Sequence, residues 1–408
     1  MNTIWILNHY GNLDGHRHYE LGKKMTQLGY KVCVIASSYN ATKKAYIYDE
    51  EIHCEDVHNG LTYVWLQTKP KFVGSGVKRI LNMFGYVRLV KKYYRQIINI
   101  TSVPNYVIGS SVHPLAWEAA YYVSKKTGAK FIAEMRDTWP ESMEQILGIS
   151  RKHPVVIFFD NITKRAMKRC ELFVGTTKKM NVYPQKRYGI EVKDYIWIPN
   201  GYNVDEITVC EETVSKELID FVKNNWCITY AGSVSKSEGM EYLVDVIELV
   251  NQKYKLPVKF IILGDGAQRK WMEKEVEDRK LNNVMFYGRV DKNSVRCVLK
   301  YSKLCVAPAR FGELAQYGLS MNKLNDYLYS ETPVLLTCDY FNVVKDSGAG
   351  ESLPSDDKEA FVDAIYKYYN MPDEEREAIG KRGRIEIENN YSMSILAKKY
   401  IDKLENLN

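Results

Sequence analysis

The chain has 408 residues, 45% of them hydrophobic, and a formal net charge of +7. That length exceeds what one core usually supports and predicts two domains, while no apolar run approaches the roughly 18 residues that a membrane-spanning helix needs. The N-terminus has no basic lead and no small-residue cleavage site, which reads against a secretory signal and makes the cytoplasm the expected location. The eight cysteines are scattered without a CxxC pair, and several, Cys33 and Cys305 among them, lie in apolar strand patterns. They read as reduced core residues rather than a disulfide framework or a zinc site.

Charge is divided unevenly. Residues 1–200 carry 29 Lys and Arg against 16 Asp and Glu, leaving 28 against 34 for the remainder. No acidic residue stands between Asp56 and Glu118, where Lys69, Lys71, Lys78, Arg79, Arg88, Lys91, Lys92 and Arg95 lie. Nucleic acid and an anionic membrane surface are the usual partners of such a patch. No nucleic-acid-binding pattern accompanies it.

In chain order, the first half alternates strand and helix. Strands are predicted at 3–10, 31–39, 106–111, 130–135, 172–177 and 195–199, and helical patterns of about 12 to 20 residues separate most of them, as parallel βαβ units require. Residues 77–98, VKRILNMFGYVRLVKKYYRQII, predict an amphipathic helix. Ile80, Leu81, Phe84, Val87, Tyr94 and Ile98 are expected on its apolar side and the basic residues elsewhere, as in helices that lie on anionic membranes. An ordinary core stripe with a solvated basic face fits the same pattern.

The polar stretch 208–216 breaks the rhythm and reads as a linker. The beat restarts with WCITYAGS, KFIILGDG, VMFYGRV, LCVAPAR and PVLLTC, predicting a second α/β sheet over about 226–386. The domains are expected at 1–205 and 206–390, facing one another across a cleft, with a helix at 391–408 packing back toward the first.

Candidate chemistry sits at strand ends. Neither GxGxxG nor GxxxxGK[ST] occurs, so the common dinucleotide and P-loop fingerprints are missing. Three glycine-bearing turns follow strands: Gly11 and Gly15 before His16 and Arg17; Gly232 and Ser233; and Gly264, Asp265 and Gly266. Backbone N–H groups at such turns and at helix N-termini meet phosphate readily, although a GDG turn is also an ordinary tight βα connection. In YGLSMNKLNDYLYSETPVLLTC, a helix is expected over 322–330. It would place Lys323 near the helix N-terminus, where a cation is disfavoured unless an anion is present, and Asp326 one turn on, within reach of ribose hydroxyls. His113 and the pair Arg136 and Asp137 also stand at strand ends; a structural hydrogen bond and a salt bridge are their plainer readings. No Asp-x-Asp and no HExxH occur, so no metal site is expected.

Taken in order, HYGNLDGHRHYEL, VCVIASSYN, EMRDTWPES, WIPNGYNVD, YAGSVSKSEGMEYL, ILGDGAQRK and YGLSMNKLNDYL resemble the retaining nucleotide-sugar glycosyltransferases of family 4, of the branch found in bacterial capsule and O-antigen assembly. The resemblance implies a GT-B fold of two Rossmann-like, doubly wound domains. It implies hexosyl transfer with retention, without a cofactor or metal, from a nucleotide diphosphate sugar, most often linked to uridine, to a glycan acceptor, and the basic helix at 77–98 fits an acceptor carried on a polyprenyl diphosphate lipid. The protein would then work at the inner face of the cell membrane.

By this resemblance Asp326 takes the ribose, Asn322 and Lys323 approach the diphosphate, and Arg289 and Val290 flank the base. Gly232, Ser233 and Gly264 to Gly266 form the floor, with Tyr317, Gly318, Leu319 and Ser320 in the loop beside it. Gly15, His16 and Arg17 close on the phosphates, and His113, Arg136 and Asp137 face the sugar and acceptor. Gly318 stands where the family's first paired carboxylate is usual, and the basic pair expected after the first strand of the second domain is reduced to Lys236. A sugar-nucleotide epimerase of similar build, or a non-catalytic nucleotide-sugar binding protein, would share these features.

Overall fold

The computed structural model describes every residue except 14, 15, 42, 75, 142, 145–147, 208–210, 212, 213, 310, 311 and 408. Two compact units result, Met1–Gly201 with Met393–Asn408, and Tyr202–Ser392. Each is an α/β unit with its own apolar core.

In the first unit β1 (Thr3–Leu7), β2 (Lys31–Ser37), β7 (Tyr106–Ser110), β8 (Lys130–Met135), β9 (Leu172–Gly175) and β10 (Tyr195–Trp197) are parallel. The sequence pattern did not reveal the other edge. There β5 (Ile52–His58) pairs antiparallel with β6 (Leu61–Leu66), which lies parallel to β2. A short antiparallel ribbon, β3 (Tyr39–Asn40) with β4 (Ala45–Tyr46), stands apart from this sheet. The sheet order β10-β9-β8-β7-β1-β2-β6-β5 reverses direction at β1 and β7, the point outside whose carboxyl ends doubly wound sheets take ligands.

The Met393–Glu405 helix belongs to this first unit. Leu396, Tyr400, Ile401 and Leu404 enter the same core as Ile4, Ile6, Leu172 and Ile198, while Ile395 faces solvent. Close packing there needs Gly201, since a Cβ would come within 2.6 Å of the Met393 sulfur.

The second unit has one parallel sheet, ordered β13-β12-β11-β14-β15-β16. Its strands are β11 (Trp226–Ala231), β12 (Val258–Leu263), β13 (Val284–Gly288), β14 (Leu304–Ala307), β15 (Val334–Thr337) and β16 (Gly350–Leu353), and the order reverses at β11 and β14. Both ends of this unit are held together. The Tyr202 N–H donates to the Tyr391 carbonyl at 2.7 Å, and Tyr202 bridges Ser392. The units therefore divide at 201/202 and 392/393 rather than at the expected 205/206 and 390/391. Of the expected linker, 208–210 and 212–213 lie outside the described residues, and Lys216 already opens a helix, Lys216–Asn224, capped by Ser215.

The amphipathic helix forms over Val77–Thr101, and its buried side is the expected one only in part, with Val87 and Tyr94 buried and Ile80 and Ile98 half-buried. Met83, Tyr86, Val87, Val90, Tyr94 and Ile97 pack inward, whereas Leu81 and Phe84 are exposed. Apolar residues occur all round its first three turns, so periodicity alone could not choose the face. Gly85 helps to choose it. A Cβ there would lie 2.6 Å from the Lys69 carbonyl, so the helix rests closely on the chain at this point.

A buried ionic cluster fastens the first unit. The Glu134 carboxylate, at the end of β8, accepts from Arg17 Nη2 at 3.1 Å, from His18 Nε2 at 2.7 Å and from Ser110 Oγ at 2.9 Å. Arg17 also donates to the carbonyls of Ile198, at 2.8 Å, and Pro199. Burial alone would raise the Glu134 pKa, but Arg17 and His18 outweigh it and hold the carboxyl well below its usual range. Burial holds His18 below the usual imidazole range, against the pull of Glu134.

Removing one partner of such a cluster strands the other charge. Glu134→Ala is expected to cost about 3–5 kcal/mol in denaturant unfolding. Because Glu134 and His18 both bind protons more readily in the unfolded chain, their contribution is complete above about pH 6.5, the ordinary histidine value, and is lost progressively as pH falls below it. Unfolding curves at a series of pH values from 8 down to 3 should show this slope, and the part of it below about pH 4.3, the ordinary glutamate value, should be missing from the variant.

Candidate functional site

At the carboxyl ends of β11, β12 and β13 the chain cannot carry side chains at certain points. Gly264 has φ +145°, and a Cβ on it would fall 1.8 Å from the Gly232 carbonyl oxygen; one on Gly266 would fall 2.3 Å from that of Val234. Glycine alone fits there. The two loops continue the ladder beyond the strands, with Gly232 N–H to Leu263 O at 2.9 Å and Val234 N–H to Asp265 O at 3.0 Å. This opens a cavity of about 680 Å³, lined by Gly232, Ser233, Leu263, Gly264, Asp265, Gly266, Arg289, Val290 and Val295. That size suits a cofactor-sized ligand.

Lys323 stands beside it. The Asn322–Tyr329 helix is fixed beneath β11 by the Tyr327 hydroxyl, which accepts from the Ala231 N–H at 2.7 Å and donates to the Ala231 carbonyl at 3.0 Å. This brings the Lys323 ammonium against Gly232, 2.9 Å from where a Cβ would be. The ammonium donates to the Tyr230 hydroxyl at 3.1 Å and to Glu238, and the Tyr230 hydroxyl in turn donates to the Ser233 carbonyl at 2.6 Å. Burial lowers the Lys323 pKa and Glu238 opposes that shift. The cation is thus paired internally in the ligand-free chain.

Asp326 faces elsewhere and does not line the cavity. Its Oδ1 accepts from the Tyr202 hydroxyl at 2.6 Å and from Arg296 Nε at 3.3 Å. Tyr317 is buried, Leu319 and Ser320 are half-buried, and Asn322 is exposed. Gly318 has φ +104°, a region that penalises any side chain. That is the local reason a carboxylate does not stand at this position.

In the first unit the candidates separate. Gly15 lies outside the described residues. His16 is the extended residue before the Arg17–Gln27 helix and is half-exposed. Arg17 is turned inward and its donors are taken up by Glu134 and by backbone carbonyls, so in this state it presents no free guanidinium to a phosphate. His113 is fully buried. Its Nε2 lies 2.6 Å from His9 Nδ1, and His9 stacks on Tyr10 and Tyr86. Burial and the nearby Arg79 push the His113 pKa down to about 3, so the ring is neutral.

Arg136 is half-buried and Asp137 exposed. The Ser111 hydroxyl accepts from the Arg136 N–H at 3.1 Å, joining the loops after β7 and β8. Sequence reasoning missed Tyr230, Glu238, Tyr202, Arg296 and His9. They are partners across 30 to 124 residues of chain; His9, Tyr202, Tyr230 and Glu238 stand inside the quoted motifs HYGNLDGHRHYEL, WIPNGYNVD and YAGSVSKSEGMEYL without a role having been read for them, and Arg296 carried no local signal.

Comparison with known proteins bears on the fold and on the second unit. Residues 226–371 match the model of a family described as Glycosyl transferases group 1. Over 115 residues the chain is 24% identical to WcaI of Escherichia coli (strain K12), provisionally described as a colanic acid biosynthesis glycosyl transferase; the match spans 28% of each chain. Among solved structures, sucrose-phosphate synthase (tll1590) from Thermosynechococcus elongatus is similar over 100% of this chain and 99% of its own, at 15% identity and TM-score 0.74.

An Escherichia coli structure titled trehalose-6-phosphate, bound with UDP-2-fluoro glucose, is similar over the whole of both chains at 10% identity and TM-score 0.73. Anabaena Alr3699/HepE in complex with UDP and glucose is likewise similar over both whole chains, at 12% identity and TM-score 0.70. The chain has the GT-B fold of two Rossmann-like units, and its second unit is similar to the group 1 glycosyl transferases.

Proposed function

We propose that the protein is a retaining, family 4 type glycosyltransferase that moves a hexosyl group from a UDP-sugar to a glycan acceptor on a polyprenyl diphosphate lipid, in assembly of a surface polysaccharide. The observation that carries this reading is the glycine-floored cavity with the Lys323 ammonium at its edge. The UDP named in the complexes of two structural neighbours supports the choice of base.

In this reading the second unit holds the donor. Arg289 and Val290 flank the base, the loops at Gly232 and Gly264 to Gly266 meet the diphosphate, and Asp326 receives the ribose once Tyr202 and Arg296 yield. The Tyr317 to Ser320 loop and Asn322 border the same ligand. The first unit serves the acceptor, with Arg136 and Asp137 toward the reacting sugar and His16 toward the diphosphate, while His113 would reach the sugar only on leaving its contact with His9.

The acceptor hydroxyl oxygen bonds to the anomeric carbon from the face the diphosphate leaves, the anomeric C–O bond breaks, and the hydroxyl proton passes to the departing diphosphate. The charge growing on that group is stabilised by main-chain N–H groups and by Lys323. A metal is not needed for this step, because the positive groups that meet the charge belong to the chain. The enzyme would work peripherally at the inner face of the membrane.

UDP-sugars added singly should raise the melting temperature more than GDP- or ADP-sugars, and UDP should be released only when acceptor is supplied. Donor conversion without acceptor would identify an epimerase, and binding without turnover a binding protein. Lys323→Ala should lower turnover by about 10²–10³-fold. Glu238→Gln removes the carboxylate that competes with the diphosphate for Lys323, so it should tighten UDP binding several-fold in calorimetry. Unchanged affinity would mean that Lys323 does not meet the diphosphate.

A further inference from the structure

The Val77–Thr101 helix shows solvent a face unlike the one its sequence suggested. Val77, Leu81, Phe84, Arg88, Lys91 and Arg95 recur at helical spacing and all are exposed. The stripe is divided along its length. Its first two turns are apolar, with Val77 at 72% exposure, Leu81 at 50% and Phe84 at 43%. Its later turns are basic.

The apolar end extends onto a second helix, Pro154–Arg169, where the Phe158 ring lies 5.7 Å from that of Phe84 and is 40% exposed, beside exposed Ile157. Lys78, Arg151 and Lys152, exposed residues near the N-terminal ends of these two helices, add positive charge near it. Lys92 is different. It is paired with Glu51 at 2.8 Å and contributes little.

A contiguous exposed apolar patch marks an interaction site, and the charges beside it select the partner. Among the described residues, Lys91 rests over the Tyr122 ring at 4.9 Å and Arg95 donates to the Tyr94 hydroxyl at 3.0 Å, which orients cations without neutralising them. Nucleic acid would meet the basic end but would leave Leu81, Phe84 and Phe158 in water. A second copy of this chain, in a symmetric contact, would set the basic row against the same row or against the apolar end of its partner, leaving the charge unmatched either way.

An anionic bilayer satisfies both ends, since apolar side chains enter the boundary between headgroups and acyl chains while basic ones pair with phosphates. No helix among the described residues is long and apolar enough to span a membrane, so attachment here is at the surface.

We propose that Leu81, Phe84 and Phe158 form an apolar toe that inserts into an anionic membrane, with Arg88, Lys91 and Arg95 as a basic heel on the lipid phosphates. This deepens the lipid-linked acceptor part of the reading above. The test is flotation of the full chain with vesicles of phosphatidylcholine alone, or with 30% phosphatidylglycerol.

Binding should require the anionic lipid. Arg88→Glu with Lys91→Glu and Arg95→Glu should weaken it by at least about tenfold, each lost cation being worth on the order of fivefold near a bilayer. Leu81→Ser with Phe84→Ser should abolish the part that survives high salt. Phe84→Trp should show an emission blue shift only on anionic vesicles. The exposed positions allow every variant to fold, which circular dichroism checks, and UDP-sugar binding should be unchanged in all of them.

Flotation of the Leu81→Ser, Phe84→Ser variant that survives high salt as the parent's does overturns the proposal. So does a change in its sedimentation that shows a lost dimer, or preferential binding of single-stranded RNA by the parent chain. Loss of UDP-sugar binding in the parent chain would instead defeat the glycosyltransferase reading and leave the membrane result standing.

Discussion

Two loops that cross without side chains set the terms for the second unit. Gly264 lies over the Gly232 carbonyl and Gly266 over that of Val234, too close for any Cβ. Because both loops are pinned by ladder-like hydrogen bonds beyond β11 and β12, the floor of the cavity is part of the sheet rather than a flexible surface. Polar main-chain groups fixed in that way stabilise an anion with little reorganisation, the condition under which electrostatic stabilisation is strongest.

Two charges of the Asn322–Tyr329 helix, which stands next to this floor, are held in internal pairs. Lys323 is balanced by Glu238 and braced by Tyr230; Asp326 is held by Tyr202 and Arg296. A half-buried charge without a partner would be costly, so the ligand-free chain supplies its own counterions. In the proposed reading a diphosphate would replace Glu238 at Lys323 with a partner of the same sign, and a ribose hydroxyl would replace that of Tyr202 as a donor to Asp326. The Glu134 cluster in the first unit differs in that its side chains are almost wholly buried, and its role is to fasten the Arg17–Gln27 helix to β8 and to the chain leaving β10.

The helix at Val77–Thr101 shows where pattern reading reaches its limit. Its apolar residues occupy more than one side, and periodicity favoured Ile80, Leu81 and Phe84. The core instead took Met83, Tyr86 and Val90, because the backbone at Lys69 approaches Gly85 and fixes the rotation of the helix. A contact between segments sixteen residues apart decided which apolar residues were left in water.

The sequence by itself determined the α/β alternation and the strands that carry the glycine turns, since these follow from local periodicity and from residues that only certain turns accept, while the GT-B fold was implied by the resemblance of seven motifs taken in order. It also singled out Gly232, Ser233, Gly264 to Gly266, Arg289 and Val290, which share one cavity because each follows a strand of the same parallel sheet. The antiparallel β5–β6 edge, the inward turn of Arg17, the burial of His113 against His9 and the pairing of Lys323 with Glu238 were decided by tertiary structure alone. Each depends on which distant side chain or backbone arrives within hydrogen-bonding or van der Waals distance, and spacing along the chain does not encode that.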